Sequence, residues 1–156
     1  MANGNITIEN ARLLFRNFRG EEQKFNTAGN RNFCVALSDR DADILARQGW
    51  NVKHLAPRDP DDAPLPYIQV NVNFDKGRPP KIIQITGSGE NQHKTQLDAD
   101  SVGNLDWAEI ETVDLTISPY HYDFGGNTGI KGYLNSMYVT LVEDELESKY
   151  YNIQER

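Results

Sequence analysis

Hydrophobic and polar residues alternate with a period of two along most of the chain. The clearest stretch is YIQVNVNF, residues 67–74, in which Ile68, Val70, Val72 and Phe74 alternate with polar side chains. Successive side chains of a strand point to opposite faces, so this pattern predicts a β-strand with one buried face. Similar patterns predict six strands: Ile6 to Phe15 with a kink near Asn10, Phe33 to Leu37, Ile68 to Phe74, Lys81 to Thr86, Val113 to Ser118 and Ile130 to Leu141.

The four phenylalanines between residues 15 and 33 fall into two groups, those that follow this alternation and those that do not. Phe15 and Phe33 keep step with the apolar positions of their strands, which predicts that both lie in the core. Phe18 and Phe25 fall beyond the regular pattern, near a predicted hairpin tip at residues 27–30. Hairpins often pack aromatic rings across their own strands, so the sequence leaves open whether these two rings are exposed.

Two short helices are predicted between the strands. Ser38 is a suitable N-cap for a helix over Asp39–Gln48, and Gly49 is a suitable terminator. Asp98 is a suitable cap for a second helix over 99–107, with Val102 and Leu105 facing inward. Glycines at 125, 126 and 129 predict a hairpin before the last strand.

These elements predict a mainly β fold. A partly open antiparallel barrel with two short helices, such as the OB-fold, fits the pattern, and a β-sandwich fits the strand count almost as well. The 156 residues form most simply one domain over 1–142, followed by an acidic C-terminal segment, 143–156, that is helical or flexible.

The composition of the chain restricts the cellular compartment in which it is expected to work. No run of 18 apolar residues occurs and MANGNITIEN lacks the features of a secretory signal, so neither a membrane partner nor export is expected. The single cysteine, Cys34, lies in the apolar run FCVAL and is expected to be buried. An intrachain disulfide is excluded, which is typical of a reducing, cytoplasmic compartment.

The formal net charge of -7 argues at first against a nucleic-acid partner, but the charge is unevenly distributed. Residues 1–35 and 67–96 each carry a net charge of +2, whereas residues 97–126 carry -7. A phosphate chain responds mainly to nearby charges, because the Debye length is about 8–10 Å at physiological salt. Local basic surfaces therefore remain compatible with nucleic-acid binding.

Catalytic chemistry has weak support. The chain contains no G-x-S-x-G, P-loop, H-E-x-x-H or C-x-x-C motif, and its three histidines are scattered. The acidic stretch 98–123 could in principle hold a divalent metal, as in a nuclease. However, Asp98 and Asp106 fit helix ends and Glu109 and Glu111 fit a solvated face, so no metal, cofactor or catalytic residue is predicted.

The stretch FRNFRGEEQKFNTAGNRNF, residues 15–33, combines cations with rings. A single nucleic-acid strand needs cations along its backbone and flat faces beneath its bases. The candidate residues of the N-terminal region are Arg12, Arg16, Phe18, Arg19, Lys24, Phe25 and Arg31.

Later strands repeat the combination. The polar face of YIQVNVNF offers Tyr67 and Gln69, which suit bases, although an ordinary wet sheet face is the alternative. Tyr120 and Tyr122 share a strand face but could instead close the barrel end. Lys131 and Tyr133 also share a face, and Gly132 between them permits close approach of another backbone. Lys81 adds a further cation. The first predicted helix is not basic, so sequence-specific reading of a duplex is not expected.

Four segments, RLLFRNFRG, RNFCVAL, GWNVK and GIKGYLNSMYVTL, resemble a group of bacteriophage single-stranded-DNA-binding proteins with an OB-fold, over about residues 5–145. The resemblance implies a non-enzymatic protein that coats single strands in replication or recombination. The residues on matching segments that it offers as strand contacts are Arg16, Phe18, Arg31, Lys53, Lys131 and Tyr133.

One feature departs from that group. Many such proteins end in an acidic tail with an apolar tip that recruits replication enzymes, whereas this chain ends EDELESKYYNIQER. Leu146 and Tyr150 are spaced as on a helix, so a docking helix or an oligomer contact, including a homodimer, is an equal alternative. The predicted function is largely sequence-independent binding of single-stranded DNA in the host cytoplasm. A phage structural or assembly protein and a metal-dependent nuclease are the alternatives.

Overall fold

The computed structural model describes residues 4–24, 26–75 and 78–142. Phe25 and the segment 143–156, for which predictions were made, lie outside these residues. The described part is mainly β and contains nine strands: β1 (Ile6–Ile8), β2 (Leu13–Asn17), β3 (Arg31–Ala36), β4 (Lys53–Leu55), β5 (Leu65–Val72), β6 (Lys81–Thr86), β7 (His93–Leu97), β8 (Ile110–Phe124) and β9 (Asn127–Leu141). One α-helix, α1 (Asp39–Gln48), and two short 3-10 helices, Gly89–Asn91 and Val102–Asp106, complete the described elements.

Helix α1 has the predicted bounds. Its first turn is capped by Ser38, whose hydroxyl accepts a hydrogen bond from the Asp41 backbone N–H at 3.1 Å. Gly49 ends the helix in the left-handed conformation that glycine adopts without a Cβ clash, with φ 103°. Ala42 and Leu45 are its buried residues, and they fix the helix against the barrel.

The second predicted helix is shorter than expected. Residues 102–106 form a 3-10 helix, and the preceding turn is held by the Asp98 carboxylate, which accepts hydrogen bonds from Ser101 and Asp100. These hydrogen bonds, those from Ser101 first, lower the pKa of Asp98. Val102 and Leu105 are fully buried, so their predicted inward position is confirmed.

The strands form one sheet in the order β1-β8-β9-β5-β3-β2, with β4 beside β5 and β6 between β7 and β9. Most pairs are antiparallel, but β9 pairs in parallel with both β5 and β6, which the predicted all-antiparallel barrel did not include. The sheet curves into a partly open, OB-fold-like barrel. The Ala11 N–H donates to the Val113 carbonyl oxygen at 2.7 Å and links the segment after β1 to β8.

The core is formed by the inward-facing residues of β3, β5, β8 and β9. Val35 lies opposite Ile68 and Phe33 opposite Val70, and the alternation that predicted these strands is the alternation of buried and outward positions. Phe33 is fully buried, as predicted. Its ring stacks on that of Phe18, with centroids 4.9 Å apart.

Phe15 was predicted to be in the core, and this is wrong. Its side chain is 58% exposed, because the pairing of β2 with β3 shifts register between Leu14 and Asn17. Phe15 has φ 48°, a conformation that residues with a Cβ rarely adopt. This irregularity breaks the alternation after Leu14 and turns the ring of Phe15 outward.

Among the described residues, no helix is long and apolar enough to cross a membrane.

Candidate nucleic-acid interface

The outward-facing side chains of β5 lie beside those of the neighbouring strands β3 and β9. In register, Gln69 lies opposite Cys34 of β3 and Asn71 lies beside Tyr133 of β9. Paired residues of adjacent strands project on the same side of a sheet. Their side chains therefore form one surface that runs across the middle of the sheet.

The hairpin of β8 and β9 extends this surface. Tyr120 lies opposite Lys131, and Tyr122 lies opposite Gly129. The rings of Tyr120 and Tyr133 meet edge to face with centroids 5.8 Å apart. The Tyr122 ring lies directly over Gly129, at a place that a Cβ atom would occupy.

The other end of the surface reaches β4 and β2. Lys53 of β4 lies opposite Tyr67 of β5. The exposed ring of Phe15 meets that of Tyr67 edge to face, with centroids 5.9 Å apart. An aromatic pair and a cation therefore lie at each end of the surface.

We call this surface the tyrosine face. Its defining residues are Phe15, Asn32, Lys53, Tyr67, Gln69, Asn71, Tyr120, Tyr122, Lys131 and Tyr133. None of these ten residues is a carboxylate, although Asp114 lies farther along the outward side of β8, opposite Tyr138. The tyrosine face is therefore basic or neutral within a chain of net charge -7.

Two clefts open on the tyrosine face. One, of about 160 Å³, is lined by Trp50, Asn51, Gln69, Tyr122 and Lys131 among others. The second, of about 330 Å³, is lined by Tyr133, Asn73, Arg31 and Phe74, and also by the acidic residue Asp75. Both are lined by Asn71, so they lie next to each other on the tyrosine face.

A family model described as "Putative phage ssDNA-binding domain" matches residues 1–156, the whole chain. The chain belongs to this family of phage ssDNA-binding domains. No curated protein matches.

Solved structures share the fold of this ssDNA-binding domain. The single-stranded DNA-binding protein from bacteriophage Enc34 with a C-terminal truncation aligns with a TM-score of 0.57 at 12% identity, covering 90% of this chain and 87% of that one. The same bacteriophage protein in complex with ssDNA aligns with a TM-score of 0.52 at 11% identity, covering 92% and 93% of the two chains. At such identities the similarity concerns the fold.

Seven of the residues predicted from the sequence come together on the tyrosine face of the ssDNA-binding domain. They are Lys53, Tyr67, Gln69, Tyr120, Tyr122, Lys131 and Tyr133. Arg31 lies at the edge of the second cleft, where its guanidinium donates to the Phe18 carbonyl oxygen at 2.6 Å and lies 5.5 Å from the Phe74 ring centroid.

The structure contradicts the prediction that the Phe18 ring contacts a base. Phe18 was a candidate for base stacking, but its side chain is fully buried against Phe33 and has no face for a base. The backbone N–H of Phe18 donates to the Asp106 carboxylate at 2.6 Å. This hydrogen bond joins the segment after β2 to the 3-10 helix.

Arg16, also predicted to contact DNA, lies at the 3-10 helix. Its guanidinium donates at 2.8 Å to each of two backbone carbonyl oxygens, those of Leu105 and Ala108. Leu105 lies in the last turn of the 3-10 helix and Ala108 follows the helix, so Arg16 holds the C-terminal end of this segment. The side chain therefore has a structural role away from the tyrosine face.

Arg12 and Arg19 also lie away from the tyrosine face. Arg12 lines a cleft with Arg16 and Trp107. Arg19 lies over Trp107, with its guanidinium carbon 4.6 Å from the ring centroid, and forms ion pairs with Glu21 and Asp106. Carboxylates thus neutralise much of the basic character that the sequence indicated here.

The remaining predicted cations, Lys81 and Lys24, are not among the defining residues of the tyrosine face. Lys81 lies on β6 opposite Ser136 and 6.0 Å from the Tyr138 ring centroid, beyond the part of β9 that carries Tyr133. Lys24 lies in the connection between β2 and β3.

Several residues of the surface were missed. Phe15 was assigned to the core, and Phe124 was not considered, although it is 72% exposed and continues the alternation of Tyr120 and Tyr122. That i, i+2, i+4 spacing was a signal for Phe124. Trp50 borders the first cleft through a bridge to Ile130, a long-range contact that no local pattern reveals.

A metal-dependent nuclease would need several carboxylates that converge on one metal ion. Within residues 4–24, 26–75 and 78–142, no group of three or more His, Cys, Asp or Glu side chains is arranged to hold a metal ion.

Proposed function

We propose that this phage ssDNA-binding domain holds a single strand of DNA across the tyrosine face, with little preference for sequence. The observation that carries the proposal is the continuity of that face, from Phe15 and Tyr67 at one end to Tyr120 and Tyr122 at the other. Aromatic rings and cations along one face are what a single strand requires.

Stacking supplies the affinity for bases. Each base that stacks on an aromatic ring contributes roughly 1–3 kcal/mol, and every base has a face for stacking. Tyr67, Tyr120 and Tyr133 are held by contacts with other rings or by strand pairing. Because little ordering of these rings remains to be done, binding should be efficient and tolerant of sequence.

Lys53 and Lys131 supply charge for the phosphates, one at each end of the face. No carboxylate occupies the outward positions of β4, β5 and β9, and Asp75, which lines the second cleft, shares that cleft with Arg31. The surplus acid of residues 97–126 belongs largely to the 3-10 helix, its connections and the first half of β8. The local field at the tyrosine face therefore favours a polyanion despite the net charge.

The role in the phage follows from this activity. A non-enzymatic protein with these properties would coat single strands during DNA replication or recombination in the cytoplasm of the host. It would then meet replication or recombination proteins, and a homodimer is compatible with this role. Light scattering with and without oligonucleotide tests the oligomeric state.

The experiment is a titration of fluorescent oligo-dT, beside the matching duplex, at two salt concentrations. We expect tighter binding of the single strand, weakening by roughly 0.7 log units per log unit of salt for each phosphate contact. Equal affinity for duplex and single strand, or no salt dependence, would contradict the proposal. Added magnesium without strand cleavage is the expected result for a non-enzymatic protein.

A further inference from the structure

The smaller cleft of the tyrosine face has an unusual origin. Strands β5 and β9 pair in parallel at Val70 with Gly132 and at Asn71 with Tyr133, and the cleft opens on the N-terminal side of that pairing. The chain after α1 fills the gap between them: Trp50 bridges to Ile130, and the Ile130 N–H donates to the Gly49 carbonyl oxygen at 3.1 Å. The cleft is therefore built by three separate segments.

Its floor is apolar and its walls are amides. Trp50, Ile68 and Ile130 are buried and form the floor. Asn51, Gln69 and Asn71 line the walls. A flat apolar base beneath hydrogen-bonding groups suits a planar heterocycle, whose faces are apolar and whose edges carry donors and acceptors.

The wall amides have unused hydrogen-bonding capacity. The Asn71 amide nitrogen donates to the Gly132 carbonyl oxygen at 3.3 Å, which leaves its oxygen as an acceptor. Within the part of the chain that the structure describes, the side-chain amides of Asn51 and Gln69 have no protein partner. An amide offers a donor and an acceptor side by side, the arrangement that pairs with the edge of a base.

Residues at the rim of the cleft also belong to the part of the tyrosine face that is proposed to bind the DNA strand. Tyr122 and Lys131 both line the rim, and the Lys131 ammonium lies 5.3 Å from the Tyr122 ring centroid. A phosphate beside Lys131 would place its own nucleotide at the mouth of the cleft. The volume of about 160 Å³ is roughly ten times the space that one water needs, which is sufficient for a pyrimidine ring.

We propose that one nucleobase of the bound strand leaves the stack and inserts into this cleft, where Asn51, Gln69 and Asn71 read its edge. This inference rests on the proposed binding of single-stranded DNA and adds a fixed position to it. Most bases would be held through their faces, whereas one position in each binding site would require a base. The rest of the strand would remain tolerant of sequence.

The test is an abasic scan. The shortest oligo-dT that retains full affinity is determined first, because a longer strand could slide to avoid a gap. A single abasic residue is then moved along this oligonucleotide, and each affinity is measured by fluorescence anisotropy. We expect one position at which the missing base weakens binding about tenfold more than its neighbours do.

Substitutions in the cleft test whether the base at that oligonucleotide position is the one that inserts there. In an Asn51→Ala and Gln69→Ala double variant, the extra loss at the special position should fall to less than about threefold. The matched control is Asn104→Ala with Gln96→Ala, two exposed amides away from the cleft, which should retain the full profile. Both double variants remove exposed side chains, so unchanged thermal unfolding is expected and is checked.

The outcomes separate this inference from the function on which it rests. A flat abasic profile with normal oligo-dT affinity overturns the inserted base and leaves single-strand binding intact. A special position that persists in the Asn51 and Gln69 variant also overturns it, because the base would then be read elsewhere. Failure of the parent protein to bind any oligo-dT overturns the proposed function itself.

Discussion

The ammonium group of Lys131 lies 5.3 Å from the centroid of the Tyr122 ring, on the outward side of the β8–β9 hairpin. Cation and ring belong to neighbouring strands, and Tyr122 lies over Gly129, two residues before Lys131. The end of one hairpin thus presents a phosphate ligand and a stacking surface together. This is the combination that single-strand binding requires.

Replacing Lys131 with alanine should weaken oligo-dT binding by about tenfold at low salt. It should also reduce the slope of log affinity against log salt by about 0.7, since one phosphate contact is lost. Anisotropy titrations at several salt concentrations measure both quantities. Lys94→Ala, which removes an exposed cation from β7, is the matched control and should bind like the parent. An unchanged salt slope in the Lys131 variant would exclude a phosphate contact there.

Arg16→Ala should mainly lower stability. The substitution leaves the Leu105 and Ala108 carbonyl oxygens without their donor, and an unpaired, partly buried acceptor costs about 1–3 kcal/mol. Urea denaturation should show this loss, whereas the folded variant should retain its affinity for oligo-dT. The control is Arg12→Ala, an exposed arginine of the same cleft, for which little change in stability is expected. An Arg16 variant with parental stability but impaired oligo-dT binding would indicate that Arg16 contacts the DNA after all.

Sequence patterns predicted the tyrosine face better than the N-terminal arginines. Tyr67, Gln69, Lys131 and Tyr133 alternate with buried residues on regular strands, so their outward position follows from the period of two. Arg16 and Arg19 lie where β2 ends irregularly, and apart from the nearby Glu21 their partners are Leu105, Asp106 and Ala108, about 90 residues away. Local alternation carries no information about such distant partners.

The same limit explains the missed strands. All of β4 and most of β7 are exposed, so neither shows a regular alternation of apolar residues. Both are defined by pairing with a stronger strand, β4 with β5 and β7 with β6. The parallel pairing of β9 with β5 and β6 also depends on tertiary packing, which strand patterns do not determine.

Phe15, predicted to be in the core, is exposed, whereas Phe18, whose exposure the sequence left open, is buried, and substitution should separate their roles. Phe18→Ala should lower the free energy of unfolding by about 3–5 kcal/mol, as for Phe33→Ala, because both rings are fully buried. Phe15→Ala should change stability far less and weaken oligo-dT binding severalfold, since its ring is exposed beside Tyr67. Chemical denaturation and anisotropy titration measure the two effects. Strong destabilisation by Phe15→Ala without a binding defect would contradict this assignment.

Gly132→Ala should destabilise the junction between β5 and β9. An added Cβ would lie 2.8 Å from Ile117 Cγ2 and 3.0 Å from a ring carbon of Trp50, both of them buried side chains. Overpacking of this kind costs about 1–3 kcal/mol. Thermal or urea unfolding tests the effect, with Asn127→Ala as an exposed control in the same hairpin. Unchanged stability would mean that Trp50 can move aside, and the apolar floor of the cleft would then be less rigid than we describe.

Cys34 gives a pH-dependent prediction. Burial raises the pKa of its thiol to about 11, although the nearby Lys53 ammonium opposes the shift. The unfolded chain, with a thiol pKa of 9.0, loses this proton at lower pH than the folded protein does. The contribution of Cys34 to stability is therefore present below pH 9 and is lost as the pH rises from 9 towards 11.

The measurement compares the parent with Cys34→Ala. Between pH 9 and pH 11, the parent should lose about 2–3 kcal/mol of stability relative to the variant, because other titrating groups are common to both. Thiol-reactive dyes should modify the folded parent slowly at pH 8 and the urea-unfolded chain rapidly, since the thiolate is the reacting form. Parallel stability curves for the two proteins across this range would show that the folded environment leaves the thiol unshifted.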